Sequence, residues 1–168
     1  MKLIRNTLLI LATPLAFASV ASHAQTPEAM CGTMLPAEKL QTAIGKGMKS
    51  ASAEIEKSGK VACAWMRRAP DPFATVSVEF YDKKAIAATA PDNAGTANDL
   101  FERMITPHEE RTKLKRELIA GVGKRAVLVP ADPQRLVVIE RDSALIRVVM
   151  NGASKAQAIA VAKAIAAP

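Results

Sequence analysis

Three apolar runs follow one another in the last third of the chain, residues 125–129, 135–140 and 144–150, parted only by Pro130-Ala131-Asp132-Pro133 and by a tight turn near Asp142-Ser143. Runs this short, rich in Val, Ile and Leu and bounded by turn formers, read as strands. Connections this short join antiparallel neighbours, because a parallel pair needs a crossover of a dozen residues or more. The chain is thereby committed to an antiparallel sheet. The first half repeats the theme. Val76, Val78 and Phe80 alternate with Ser77, Glu79 and Tyr81, the period of a half-buried strand. Residues 61–68, with Cys63 and Trp65, form a further strand, and residues 48–56 pair with it as a hairpin across Ser58-Gly59.

Helical periodicity fills the gaps. Pro36 opens a short helix with Leu40, Ala43 and Ile44 on one face and Gly45 at its C-terminus. A second helix starts near Thr96 and carries Leu100, Phe101, Met104 and Ile105. Thr106-Pro107-His108-Glu109 predicts a kink or restart, followed by a segment to about Ala120 with Leu114 and Leu118 inward. Ala-rich residues 85–95, with Pro91, Asn93 and Gly95, read as a helical turn or loop, and Ser154 caps a final helix bearing Ile159, Val161 and Ile165. The expected fold class is α+β: an antiparallel sheet of five to six strands with helices mainly on one face. Helix, three strands, helices, three strands, helix suggests an internal duplication, since Ile44-Gly45-Lys46 and Val122-Gly123-Lys124 precede the two strand sets.

Residues 1–24 read as a secretory signal peptide. Lys2 and Arg5 are followed by the apolar stretch 8–20, which is short for a membrane span and holds Pro14, and Ser22-His23-Ala24 offers a cleavage site. Residues 25–168 are then a single exported domain, periplasmic or secreted, with no transmembrane segment. Loss of Lys2 and Arg5 lowers the formal charge from +7 to +5. A basic, mixed surface favours anionic neighbours without choosing among them. In an oxidising compartment, Cys31 and Cys63 read first as a disulfide, with a redox or metal pair as the rival.

Cys31, Leu35-Pro36, Ile44-Gly45, Cys63-Ala64-Trp65 and Gly121-Val122-Gly123-Lys124 together resemble the layout of small exported bacterial domains of unknown function. The resemblance spans most of residues 25–168 and implies an exported, non-enzymatic fold with a disulfide. The chain departs from the lipoprotein members of that group in lacking a lipobox.

Catalytic constellations are hard to assemble. There is no Gly-x-Ser-x-Gly and no Ser-x-x-Lys, and His108, the one imidazole beyond the signal segment, reads as helix-end surface. Glu109-Glu110 offer paired acids, but sequence neighbours point to different sides of a helix. Met30, Met34, Met48, Met66, Met104 and Met150 lack a Met-x-x-Met array and read as core filling rather than copper ligands. Gly121-Val122-Gly123-Lys124 looks like a phosphate-binding hairpin, yet the β-branched Val127-Leu128-Val129 that follows argues for a helix cap feeding a strand, and against nucleic acid. What remains is a candidate partner-binding patch of Arg67, Arg68, Tyr81, Lys83 and Lys84. The expectation is a non-enzymatic exported binding or interaction domain without cofactor or metal, whose partner is a protein or an anionic envelope component. An immunity or inhibitor protein acting on a toxin or hydrolase is the alternative, and a carboxylate-dependent enzyme the third.

Overall fold

In the computed structural model, residues 26–69, 72–89 and 96–166 are described. The expected signal peptide with its cleavage after Ala24, and the turn residues Pro70, Asp71, Pro91, Asn93 and Gly95, lie outside them. The elements run α1 (Pro27–Met34), α2 (Ala37–Ile44), β1 (Lys49–Ile55), β2 (Val61–Arg67), β3 (Ala74–Tyr81), α3 (Lys83–Thr89), α4 (Ala97–Thr112), β4 (Glu117–Leu118), β5 (Arg125–Val129), β6 (Gln134–Arg141), β7 (Ala144–Asn151) and α5 (Lys155–Ala166). All seven strands join one antiparallel sheet in the order β1-β2-β3-β7-β6-β5-β4. A three-stranded meander, β1–β3, thus meets a four-stranded one, β4–β7, where β3 pairs with β7, Val78 opposite Val148. The seventh strand beyond the expected range is the two-residue edge strand β4.

The helices occupy both faces rather than mainly one. Cys31 and Leu35 from the α1 end, Leu40 and Ile44 of α2, and Ala158, Val161 and Ile165 of α5 bury against Val61, Cys63, Trp65, Val76, Val78, Val137, Ile139, Ile146, Val148 and Met150. On the opposite face, Ala85 and Ile86 of α3 and Leu100, Phe101 and Ile105 of α4 cover Val127, Val129, Leu136, Val138 and Leu145. Period-two alternation explains the division, since successive residues of one strand feed different layers. The helices that precede the two strand triplets, α2 and α4, lie on opposite faces of the sheet.

Helix ends follow the local chemistry. Thr96 and Asp99 form a reciprocal capping box at the start of α4. Ser154 accepts from the Gln157 amide while the Gln157 side chain accepts from the Ser154 amide. The restart expected at Pro107 does not occur. α4 is continuous from residue 97 to 112 with Pro107 inside it, and it ends where Lys113 turns into the left-handed region at φ 60. Glu109 accepts from the Arg116 backbone at 2.7 Å and from its guanidinium, so residues 113–116 fold back instead of extending the helix. Leu114 and Leu118 are consequently exposed, not inward.

The two cysteines are bonded, with Cα atoms 5.7 Å apart, and tie α1 to β2 inside the core. Met48 and Met150 are buried, and Met30, Met34 and Met104 pack against the two cores. Among the described residues no helix is long and apolar enough to cross a membrane.

Candidate functional site: a cationic cleft beside α4

α4 covers only the β5–β6–β7 half of its face of the sheet, so a cleft of about 450 Å3 opens between the helix and the β3–β7–β6 surface. Leu100, Met104, Pro107 and Leu136 make its apolar part. Arg103, His108 and Arg111 from the helix, with Glu79, Tyr81 and Arg147 from the strands, make its polar part. The helical residues recur at spacings of three and four, which is why one face of α4 presents them all. Volume and mixture suit a small organic ligand.

The strand side is internally balanced. Arg147 donates to Glu79 at 2.8 Å, the Tyr81 hydroxyl donates to the same carboxylate at 3.0 Å, and Lys60 stands 3.6 Å from its other oxygen. Burial alone would raise the Glu79 carboxyl, but the hydrogen bond and charge of Arg147, helped by Lys60 and Tyr81, bring it below its ordinary value. Burial, followed by the charge of Glu79, pushes the Tyr81 phenol up to about 12.

The helix side is not balanced. Among the described residues neither Arg103 nor Arg111 has a carboxylate within salt-bridge distance. Arg111 is oriented by neutral acceptors instead, donating to His108 Nδ1 at 2.7 Å and to the Gln134 side-chain oxygen at 3.3 Å. Among the described residues Arg103 has one hydrogen-bond partner, the Thr89 carbonyl at 3.5 Å. With Nδ1 accepting, the His108 proton sits on Nε2, which is buried and completes no hydrogen bond, although the Gln134 backbone lies near enough to favour the charged ring. Burial, then the charges of Arg111 and Arg147, hold His108 below its ordinary value and therefore neutral at pH 7. His108 is 8% exposed, so the helix-end surface position expected from sequence gives way to a buried one under α4.

The patch expected from sequence is not brought together. β2 and β3 are neighbours, but their antiparallel register sets Arg67 opposite Ala74 and Val61 opposite Phe80, so Arg67 and Arg68 lie at the far end of the sheet from Tyr81. Six strand residues separate those ends, about 20 Å. Arg67 donates to the Ile44, Lys46 and Pro72 carbonyls and serves to tether the α2–β1 turn. Gly45, at φ 109, is where its guanidinium passes; a Cβ there would meet it at 2.9 Å. Arg68 is exposed beside Met66, and Lys83 and Lys84 are exposed at the start of α3. Tyr81 alone of the five lines the cleft. Gly121-Val122-Gly123-Lys124 is a turn from β4 to β5, not a helix cap, and Lys124 donates its amide to the Glu140 carbonyl at 2.8 Å.

Sequence reasoning passed over Arg103, Arg111 and Arg147. The spacing of Arg103, Pro107 and Arg111 on one helix was the available signal, but Arg147 reaches them only through the β3–β7 pairing. No family model, no curated protein and no solved structure matches the chain.

Proposed function

We propose that the chain is a non-catalytic binding domain working outside the cytoplasm, and that the cleft beside α4 receives an anionic ligand. The observation that carries this reading is the pair Arg103 and Arg111, two guanidiniums lining a half-apolar cleft with no carboxylate among the described residues within salt-bridge distance of either. Arg is suited to the task because its planar fork grips carboxylate and phosphate bidentately. A binding rather than catalytic role is supported by Glu79, the one carboxylate among the described residues that line the cleft, whose oxygens are engaged by Arg147, Tyr81 and Lys60. His108 likewise spends Nδ1 on Arg111. The buried disulfide is compatible with an oxidising compartment.

Calorimetric titration with decanoate at low ionic strength tests the reading. Saturable binding is expected, lost in the Arg103→Gln/Arg111→Gln double variant while its melting temperature stays within about 2 °C of the parent, as for exposed substitutions. Equal binding by parent and double variant would remove the cleft from consideration.

A further inference from the structure

The charges along the cleft fall in an order that selects among anions. Arg103 and Arg111 stand eight residues apart on one helix face, a separation of about 12 Å along the axis. Between them lie Met104 and Pro107 of the helix and Leu136 of the sheet. A further arginine of the cleft, Arg147, is already neutralised by Glu79 at 2.8 Å. Along the helix the groove thus reads positive, apolar, positive, with the closed ion pair on the strand side. A single oxyanion satisfies one end and leaves the other hydrated. A compact dianion such as phosphate can be gripped by one arginine but is too small to reach both.

We infer that the ligand of this cleft is a linear organic anion charged at both ends, with an oxyanion group at each end of an apolar spacer about two helical turns long. This rests on the reading of the cleft as an anion site. At one end the oxyanion meets Arg111, held in place by His108 Nδ1 and the Gln134 side chain, so little ordering remains to be done on binding. At the other it meets Arg103, whose contact with the Thr89 carbonyl, 3.5 Å, is long enough to be exchanged for a charged acceptor. The spacer lies on Met104, whose unbranched thioether adapts to its shape. Carboxylate and phosphate monoester ends share this chemistry.

The test is a calorimetric series on the intact protein at low ionic strength with glutarate, sebacate, decanoate and 1,8-octanediol bisphosphate. Sebacate is expected to bind about tenfold more tightly than decanoate, which has one charge, and than glutarate, which is too short to span the arginines. Arg103→Gln and Arg111→Gln should each bring sebacate down to the affinity of decanoate. A lead for sebacate over the bisphosphate marks carboxylate ends and the reverse marks phosphate ends, and either supports the two-ended anion. Equal affinities for sebacate, decanoate and glutarate overturn the two-ended ligand and leave the cationic cleft standing. Absence of binding by all four overturns both.

Discussion

Reducing the Cys31–Cys63 bond should remove a large share of the stability of the fold, and the size of the loss follows from where the bond sits. The cysteines are 32 residues apart, and closing a loop of that length restricts the unfolded chain by about 3.7 kcal/mol in the entropic account. Both sulfurs are in the core, and Cys31 is the one buried residue of α1, so the bond anchors the helix on β2, with Met30 and Met34 packed beside it. Urea unfolding with and without dithiothreitol measures the difference on the same chain. Trp65, buried on β2 two residues from Cys63 and the single tryptophan of the sequence, is the reporter. With a slope of about 2 kcal/mol per molar, the midpoint should fall by about 2 M on reduction. Amide exchange in α1 should rise in the reduced protein before the sheet opens, since the helix loses its anchor while β2, β3 and β7 keep theirs. A midpoint shift under about 0.5 M would refute the loop argument. Unchanged exchange in α1 would refute the claim that the bond holds the helix.

Other consequences are equally open to measurement. The chain has one tyrosine, so absorbance at about 295 nm titrates Tyr81 alone; its midpoint should lie near the value of about 12 set by burial and Glu79, and move down in Glu79→Gln. Because this folded-state value is raised, the stability that goes with it is complete below the ordinary tyrosine pKa and is lost as pH rises from about 10; a midpoint near 10 would contradict the burial of the phenol. His108 shifts the other way: its depressed value means the unfolded chain takes up the proton first, so the stability tied to the neutral ring is complete above about pH 6.5 and falls as pH drops toward the folded-state value. The gap in urea midpoint between parent and His108→Gln should therefore narrow from pH 7.5 to 5.5, and a constant gap would refute it. Gly123 and Gly121 both have positive φ, but only at Gly123 would a Cβ meet backbone, the Glu140 carbonyl at 2.6 Å. Gly121→Ala should cost about 1 to 2 kcal/mol and Gly123→Ala at least about 1 kcal/mol more; equal costs would count against the close approach.

How far the sequence foretold this molecule depends on the range of the interaction. The β5–β6–β7 meander, β3, the β1–β2 hairpin, the helix start near Thr96 and the cap at Ser154 were all legible, because turn residues and alternation act over a few positions. α1 was not read: of its eight residues only Cys31 is buried, with Met30 and Met34 packed beside it, and two turns are too few to set a period. Pro107 misled because a proline inside a helix removes one donor, here the one due to the Arg103 carbonyl, and a restart is the usual remedy. The helix continues because Leu100, Phe101 and Ile105 before the proline and His108 after it are all buried. The inward Leu114 and Leu118 failed for a related reason, since the Glu109–Arg116 contacts turn the chain before the periodic pattern can be used. The candidate site was least legible. Arg67, Arg68 and Tyr81 looked like neighbours on paired strands, and only the register places them at opposite ends. Arg147 and Glu79 meet across 68 residues, through a β3–β7 pairing that no local pattern announces.

Chemical-shift mapping of backbone amides during a sebacate titration addresses the central claim most directly, because it reports where an anion goes as well as whether it binds. Shifts concentrated at α4 residues 100–111, at Glu79 and Tyr81 of β3 and at Arg147 of β7, and lost in Arg103→Gln/Arg111→Gln, are the predicted result. Shifts centred on Arg67 and Arg68, or on Lys83 and Lys84 at the start of α3, with the α4 amides unmoved, would contradict it.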